Sequence, residues 1–348
     1  MNKVMKTNTR VCAGLVGLGL WALSSVSTQA ADGSYRLLKE IAVGGEGGWD
    51  YLSVDEAGRR LYVSHGTKAV VIDIDKDAVC GEIADTPGIH GVAIAADLGR
   101  GFTSNGRENK SSMVDLKTLK TLDKIETGQN PDGMLYEPEQ QQVYMFNGRG
   151  QSATVIDAKT GKVVATVSLP GRPEFGTADP KAGRVYNNQE DKSLVAVIDT
   201  KKHEVVNSWP VAPGEEPSGM AIDAAHHRLF IGCGNKKMIV MDNTNGKVVA
   251  DLPIGQGVDA CAFDPGTQNA FASCGDGTVT VVHEDSPDKF TVVQTLKTEP
   301  RAKTMTLDPK THRIYLGSAK FEAAAAGERR PRMVADSFKI LVYGVEKQ

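Results

Sequence analysis

An all-β fold, and within that class a seven-bladed β-propeller of four-stranded antiparallel blades, is predicted by three features of the 348-residue sequence. The first is a set of short apolar runs, seen most clearly at Met220–Ile222, Leu229–Cys233, Met238–Met241 and Val248–Leu252, with turn chemistry (His226-His227, Gly234-Asn235, Asn245-Gly246) between them. Runs this short and rich in Val and Ile read as strands, not helices. The second is a repeat. Taking Asp223 as an anchor, equivalents fall at Asp55, Ala95, Glu137, Asp179, Asp264 and Asp308, spaced 40 to 44 residues apart. The third is an aromatic seven residues past every anchor: Tyr62, Phe102, Tyr144, Tyr186, Phe230, Phe271 and Tyr315, in a chain only 6% aromatic. One four-stranded sheet cannot bury its own faces, so copies must stack, and this period is that of propeller blades.

In chain order, residues 1–30 carry Lys3, Lys6 and Arg10, then the apolar run Val11–Leu23, then SSVSTQA. A basic start, an apolar centre too short to span a bilayer and small residues before a cut predict a secretory signal peptide cleaved near Ala30. The expectation is a periplasmic protein with no membrane span in its mature part, residues 31–348 forming one domain. Removing the leader changes the net charge from −3 to −6, which argues against bulk affinity for nucleic acid or anionic membrane. The ends suggest how the ring closes. Tyr35–Val43 reads as a fourth strand with no first three, and Phe338–Val345 as a third strand with no fourth. The amino-terminal strand is therefore expected to complete the seventh blade, removing exposed sheet edges.

After the anchors the units read YVSH (62–65), FTSN (102–105), YMFN (144–147), YNNQ (186–189), FIGC (230–233), FASC (271–274) and YLGS (315–318). These resemble degenerate copies of the YVTN repeat, and DAKTGKVVATVSLP (157–170) is similar to that family's turn and fourth strand. Over residues 35–345 the chain thus resembles the YVTN-repeat seven-bladed propellers of the periplasmic YncE-like type. The resemblance implies the fold, and single-stranded DNA binding is an activity suggested in that family; more distant relatives include lactonases. No functional residue is carried over, because the Thr and Asn of the motif are mostly replaced here.

Topology indicates which side chains meet. Five positions before each anchor, at the start of the innermost strand, stand Asp50, His90, Asp132, Glu174, Ser218, Asp259 and Lys303, all polar. Ten positions after it stand His65, Asn105, Asn147, Gln189, Cys233, Cys274 and Ser318. Both sets are expected to line one mouth of the central channel, as a ligand site that Trp49 adjoins. Asp50, His90, Asp132 and Glu174, with His65 beside them, mix imidazole and carboxylate in a way that suits a divalent cation. Trp49, Tyr51, Phe146, Phe175 and Phe321 offer stacking surface near the same face, and its second-to-third-strand loops hold eleven Lys and Arg against seven acids, as a polyanion would need.

Other signals are weaker. The seventh blade's 319–337 connection is unusually long; Phe321–Ala326 favours a helical turn that Gly327 would end, and the segment suits a lid or partner contact or, equally, a disordered excursion. Asp73-Ile-Asp75-Lys-Asp77 has the alternating acids of a calcium loop, but Ala78 stands where the turn wants Gly, so turn capping is preferred. Cys80, Cys233, Cys261 and Cys274 leave disulfides open, with Cys261 facing Cys274 one arrangement and buried thiols another. His226, His227 and His312 fall in tight turns on the opposite face, where solvation is expected. Nucleophile-elbow, HExxH, haem-attachment and P-loop motifs are absent from the sequence. The function expected is non-catalytic binding or scaffolding by a monomer, for a ligand or an envelope protein. A metal-assisted hydrolase of lactonase type, with Asp259 as general base, and a single-strand nucleic-acid binder are the alternatives.

Overall fold

The computed structural model describes residues 1–2, 33–322 and 331–346. The leader and the expected helical turn Phe321–Ala326 lie wholly or largely outside these residues. From residue 33 on, the described residues form a single compact unit. Within it, seven four-stranded antiparallel sheets follow one another: blades 1 to 6 span 52–83, 89–126, 131–168, 173–210, 217–253 and 258–297. Blade 7 takes Met305–Asp308, Arg313–Ser318 and Lys339–Gly344, and its outer strand is Arg36–Ala42, paired antiparallel from Arg36↔Gly344 to Ala42↔Lys339. The first strand of each blade contacts the first strand of the next, and blade 7 returns to blade 1, so the ring closes. The seven-bladed propeller and its closure by the amino-terminal strand are both as the sequence predicts.

The repeated residues occupy repeated places. All seven aromatics are buried, none more than 1% exposed, and they fill the space between blades. Burying seven such rings contributes roughly 2 kcal/mol apiece before entropy is counted. The anchor positions are buried too. Six carry carboxylates that cap the first hairpin's backbone: Asp55 accepts from the Gly58 N–H, Glu137 from Glu139 and Gln140, Asp179 from Ala182, Asp223 from Ala225, Asp264 from Gly266 and Asp308 from Lys310. A second ring of caps closes the third hairpins. Asp73, Asp115, Asp157, Asp199 and Asp242 each accept from a backbone N–H two or three residues on, so Asp73 is a turn cap like its equivalents.

Blade 1 is clasped to blade 7 by Arg59, whose two terminal nitrogens donate to the Asp308 carboxylate at 3.0 and 2.9 Å. Innermost strands pass close to one another. A Cβ on Gly133 would stand 2.6 Å from the Glu174 carbonyl oxygen, and one on Gly219 2.6 Å from the Cys261 nitrogen. All four described cysteines are free. Cys261 pairs with Ala272 and Cys274 with Val258 across the inner hairpin of blade 6, so the register keeps the two thiols from facing each other. Among the described residues no helix is long and apolar enough to cross a membrane.

Candidate functional site at the channel mouth

In blades 2 to 6 the first strand carries a register shift near its start, between Ile89 and Val92, Pro131 and Met134, Pro173 and Gly176, Pro217 and Met220, and Val258 and Ala260. His90, Asp132, Glu174, Ser218 and Asp259 sit in these bulges. A bulge takes its residue out of the ladder and re-aims the side chain. Here it presents a ring of polar groups to the channel.

Three members from successive blades converge. His90 Nδ1 lies 2.8 Å from Asp50 Oδ2 and 3.2 Å from Asp132 Oδ1, all three half-buried. Room for the imidazole comes from Gly106, where a Cβ would stand 2.7 Å from His90 Nε2. Across the mouth, Lys303 Nζ donates to Asp259 Oδ1 at 2.7 Å. Asp132, Glu174, Asp259 and Lys303, with Arg172 and Glu190, line one cavity of about 740 Å³.

Crowding and burial at the mouth raise three of its carboxyls, Asp132, Glu174 and Asp259. Burial, then the neighbouring Asp132 charge, pushes the Glu174 carboxyl up to about 8. Burial likewise raises Asp132 to about 6, although the His90 charge works against it. Asp259 is raised by burial with Lys303 opposing. Burial alone would lower His90, but its hydrogen bond to Asp50 and the charges of Asp132 and Asp50 outweigh it, leaving the imidazole above its ordinary value. Like charges held in a partly desolvated site are paying for proximity, and a bound cation would relieve that cost.

The second expected set does not reach the mouth. His65 is 2% exposed; Asn105, Asn147, Gln189, Cys233, Cys274 and Ser318 are fully buried. The cause is pairing. From Asn105 to Cys274 each lies opposite the buried residue just before a bulge, as Asn147 does Pro131, and opposed residues share a sheet face. That face packs against the next blade. His65 instead stacks on Phe338, ring centroids 4.6 Å apart, with Nε2 3.1 Å from the Gly44 carbonyl oxygen, and burial lowers its basicity.

Trp49 lies beside the mouth. It packs on Phe338 and Phe321, centroids 4.8 and 6.2 Å apart, beside a cleft of about 850 Å³ that also takes Arg301, Lys303 and Met333. Lys303 and Gly275 belong to both cavities, so the cleft and the mouth share a wall. Arg301 lies over the Phe321 ring at 4.7 Å. The long connection begins and ends as a paired ribbon: Phe321 bridges Met333, and Val334 N–H donates to the Lys320 carbonyl. Phe146 is buried and Tyr51 packs on Phe175, so neither Phe146 nor Tyr51 offers a free stacking surface. Several rim cations are already matched on their own blades, Lys68 with Glu82, Lys110 with Glu126 and Lys237 with Asp251.

The sequence expectation missed the roles of two turn histidines. His312 Nδ1 lies 2.8 Å from the buried Asp264 carboxylate, and His226 Nδ1 lies 2.7 Å from Asp223 and 3.1 Å from Glu284. Both bridge adjacent blades. No family model and no curated protein sequence matches the chain. Solved structures do share the fold. A chain of Kuenenia stuttgartiensis hydrazine synthase superposes with a TM-score of 0.67 at 16% identity, over 77% of this chain and 92% of its own. A chain of a mitotic checkpoint complex superposes with a TM-score of 0.73 at 13% identity, over 98% of this chain and 100% of its own. At such identities the likeness defines the class alone: a seven-bladed β-propeller, a fold compatible with binding and scaffolding.

Proposed function

We propose that this protein is a non-catalytic binding propeller whose channel mouth takes a divalent cation, with Asp50, His90 and Asp132 as its first ligands and Glu174 beside them. The convergence of three ligand atoms from blades 1, 2 and 3, at 2.8 and 3.2 Å, carries this reading. Carboxylate with imidazole suits zinc, manganese or iron better than calcium. The cleft beside Trp49 would receive the organic part of a ligand, or the side chain of an envelope partner, with Lys303 joining cleft and cation. On the same reading the chain is an exported monomer of the YVTN-repeat kind, residues 1–30 being its leader and 31–348 its one domain.

A metal-assisted hydrolase is the second reading, favoured by Glu174: a carboxyl that keeps its proton to about pH 8 beside a metal-type ligand set could serve as an acid. Single-stranded nucleic acid is the third and has less in its favour, since several rim lysines are paired on their own blades.

The test is a thermal melt of the full chain with manganese, zinc or calcium, with a chelator as control. A cation at about a hundred times its dissociation constant adds roughly 2.7 kcal/mol. The expected result is a rise in Tm with manganese or zinc that is lost in the Asp50→Asn/His90→Ala double variant. An unchanged rise in that variant, or none in the parent chain, overturns the reading. Turnover of a lactone that needs the same residues would replace it with the hydrolase.

A further inference from the structure

The residue just past the inner end of the third strand is buried and uncharged in blades 1 to 5, where it is Ile74, Leu116, Ala158, Thr200 and Asn243. In blade 6, whose third strand runs on from Thr278 to Ser286, the equivalent position is Glu284, with a fully buried side chain. Its register confirms the equivalence, for His283 pairs with Asn269 as Asp242 pairs with Arg228. A carboxylate here replaces aliphatic or neutral groups at a place where an unpaired charge is expensive.

The preceding blade makes that cost larger. Position for position, Asn243 of blade 5 donates its amide to the anchor carboxylate Asp179 of blade 4 at 3.3 Å. Glu284 of blade 6 meets the anchor Asp223 of blade 5 in the same way, but an ionised carboxylate has nothing to donate. Neither Glu284 oxygen makes a hydrogen bond among the described residues, nor do Asp223 Oδ2 and His226 Nδ1, although the three groups lie together. Burial and the Asp223 charge raise Glu284 to about 7.

We propose that Asp223, His226 and Glu284 are the protein ligands of a second divalent-cation site, independent of the mouth, which clasps blade 5 to blade 6 at the opposite end of the innermost strands. Nδ1 of His226 stands 2.7 Å from Asp223 Oδ2 and 3.1 Å from Glu284 Oε1. Adjacent ligands on a cation with bonds of about 2.1 Å are about 3 Å apart, so the spacing fits one ion serving all three. One imidazole and two carboxylates match zinc, cobalt or manganese. Asp223 is buried, while the His226 side chain is 38% exposed. Three protein ligands leave further positions to water.

The experiment uses cobalt(II) as probe on the full chain, with the mouth silenced by Asp50→Asn/His90→Ala so that the two sites report separately. The expected result is about one equivalent bound, a visible ligand-field absorption and a higher Tm. All three should be lost on adding His226→Ala or Glu284→Gln. Glu284→Gln restores the kind of amide found in blade 5, so that variant stays folded and its loss of cobalt is interpretable. No cobalt bound by the mouth-silenced chain overturns the site, as does binding that survives both substitutions. Cobalt-independent stabilisation by Glu284→Gln, with no cobalt response in its parent, assigns the pair a shared proton instead.

Discussion

The two ends of the innermost strands carry similar residues and put them to opposite uses. At one end six anchor carboxylates are buried, and each accepts hydrogen bonds from the backbone of its own turn. Five residues earlier, Asp50, Asp132, Glu174 and Asp259 face one another across the mouth, with only His90 and Lys303 as cationic members of the same ring. A carboxylate satisfied by local N–H groups belongs to the framework. One whose nearest neighbours are other acids retains unspent attraction for a cation. The Asp223–Glu284 pair is the place where the first kind has acquired the second kind's neighbour.

The largest effect should come from breaking the framework. Asp308→Ala removes both the turn cap and the partner of the partly buried Arg59, which joins blades 7 and 1. Losing one side of a buried pair costs about 3–5 kcal/mol, readable as a shift in the urea midpoint. A loss below about 1 kcal/mol would remove Asp308 from the framework class. Asp55→Ala, which strips a single cap from the Gly58 N–H, should cost less, about 1–2 kcal/mol. If the costs are reversed, the inter-blade clasp is not what distinguishes Asp308.

At the mouth the sign inverts. The folded-state values of Glu174, about 8, and Asp132, about 6, lie above the ordinary carboxyl values. The folded chain therefore holds protons that the unfolded chain has lost, and metal-free stability falls as pH rises from about 4 through 8. Glu174→Gln should raise the metal-free Tm at pH 8 and have little effect at pH 4. An equal shift at both values would mean that Glu174 is not held protonated by its neighbours. Cobalt or manganese affinity at the mouth should strengthen over the same range, since cation and proton compete for the carboxylates. Isothermal titration at pH 6 and pH 8 reads this smallest of the effects.

The fold was legible because the framework repeats. Anchor and aromatic recur together, and the aromatic recurs in all seven blades, so no single departure (Ala95 for an acid) obscures the period. The members of the mouth were legible for the same reason, being one position of that period. The second set misled because strand alternation alone does not say which face meets the channel. A blade packs both faces of its second strand against neighbours, and in blades 2 to 6 it is the bulge in the first strand that turns a side chain inward. The Glu284 contact lay outside the repeat's own pattern. The third strand of blade 6 runs nine residues where the others run six, and it carries His283 at the position of the usual capping Asp. Aligning that one position across blades would have exposed the buried Glu, because every equivalent in blades 1 to 5 is uncharged.

The pairing of Arg36–Ala42 with Lys339–Gly344 also has a bearing on the order of assembly. Each of the first six blades is contiguous in sequence and can be built from hairpins as the chain emerges, whereas the last must wait for a strand held some three hundred residues upstream. Such a distant pairing is slow to find, and until it forms both the leading strand and the trailing sheet keep open edges. Those two edges are also the natural place to rewire the ring. Joining Arg36 and Gly344 through a short linker and opening the chain in another blade's outer loop would turn the last step of folding into a local hairpin, with the finished circle unchanged.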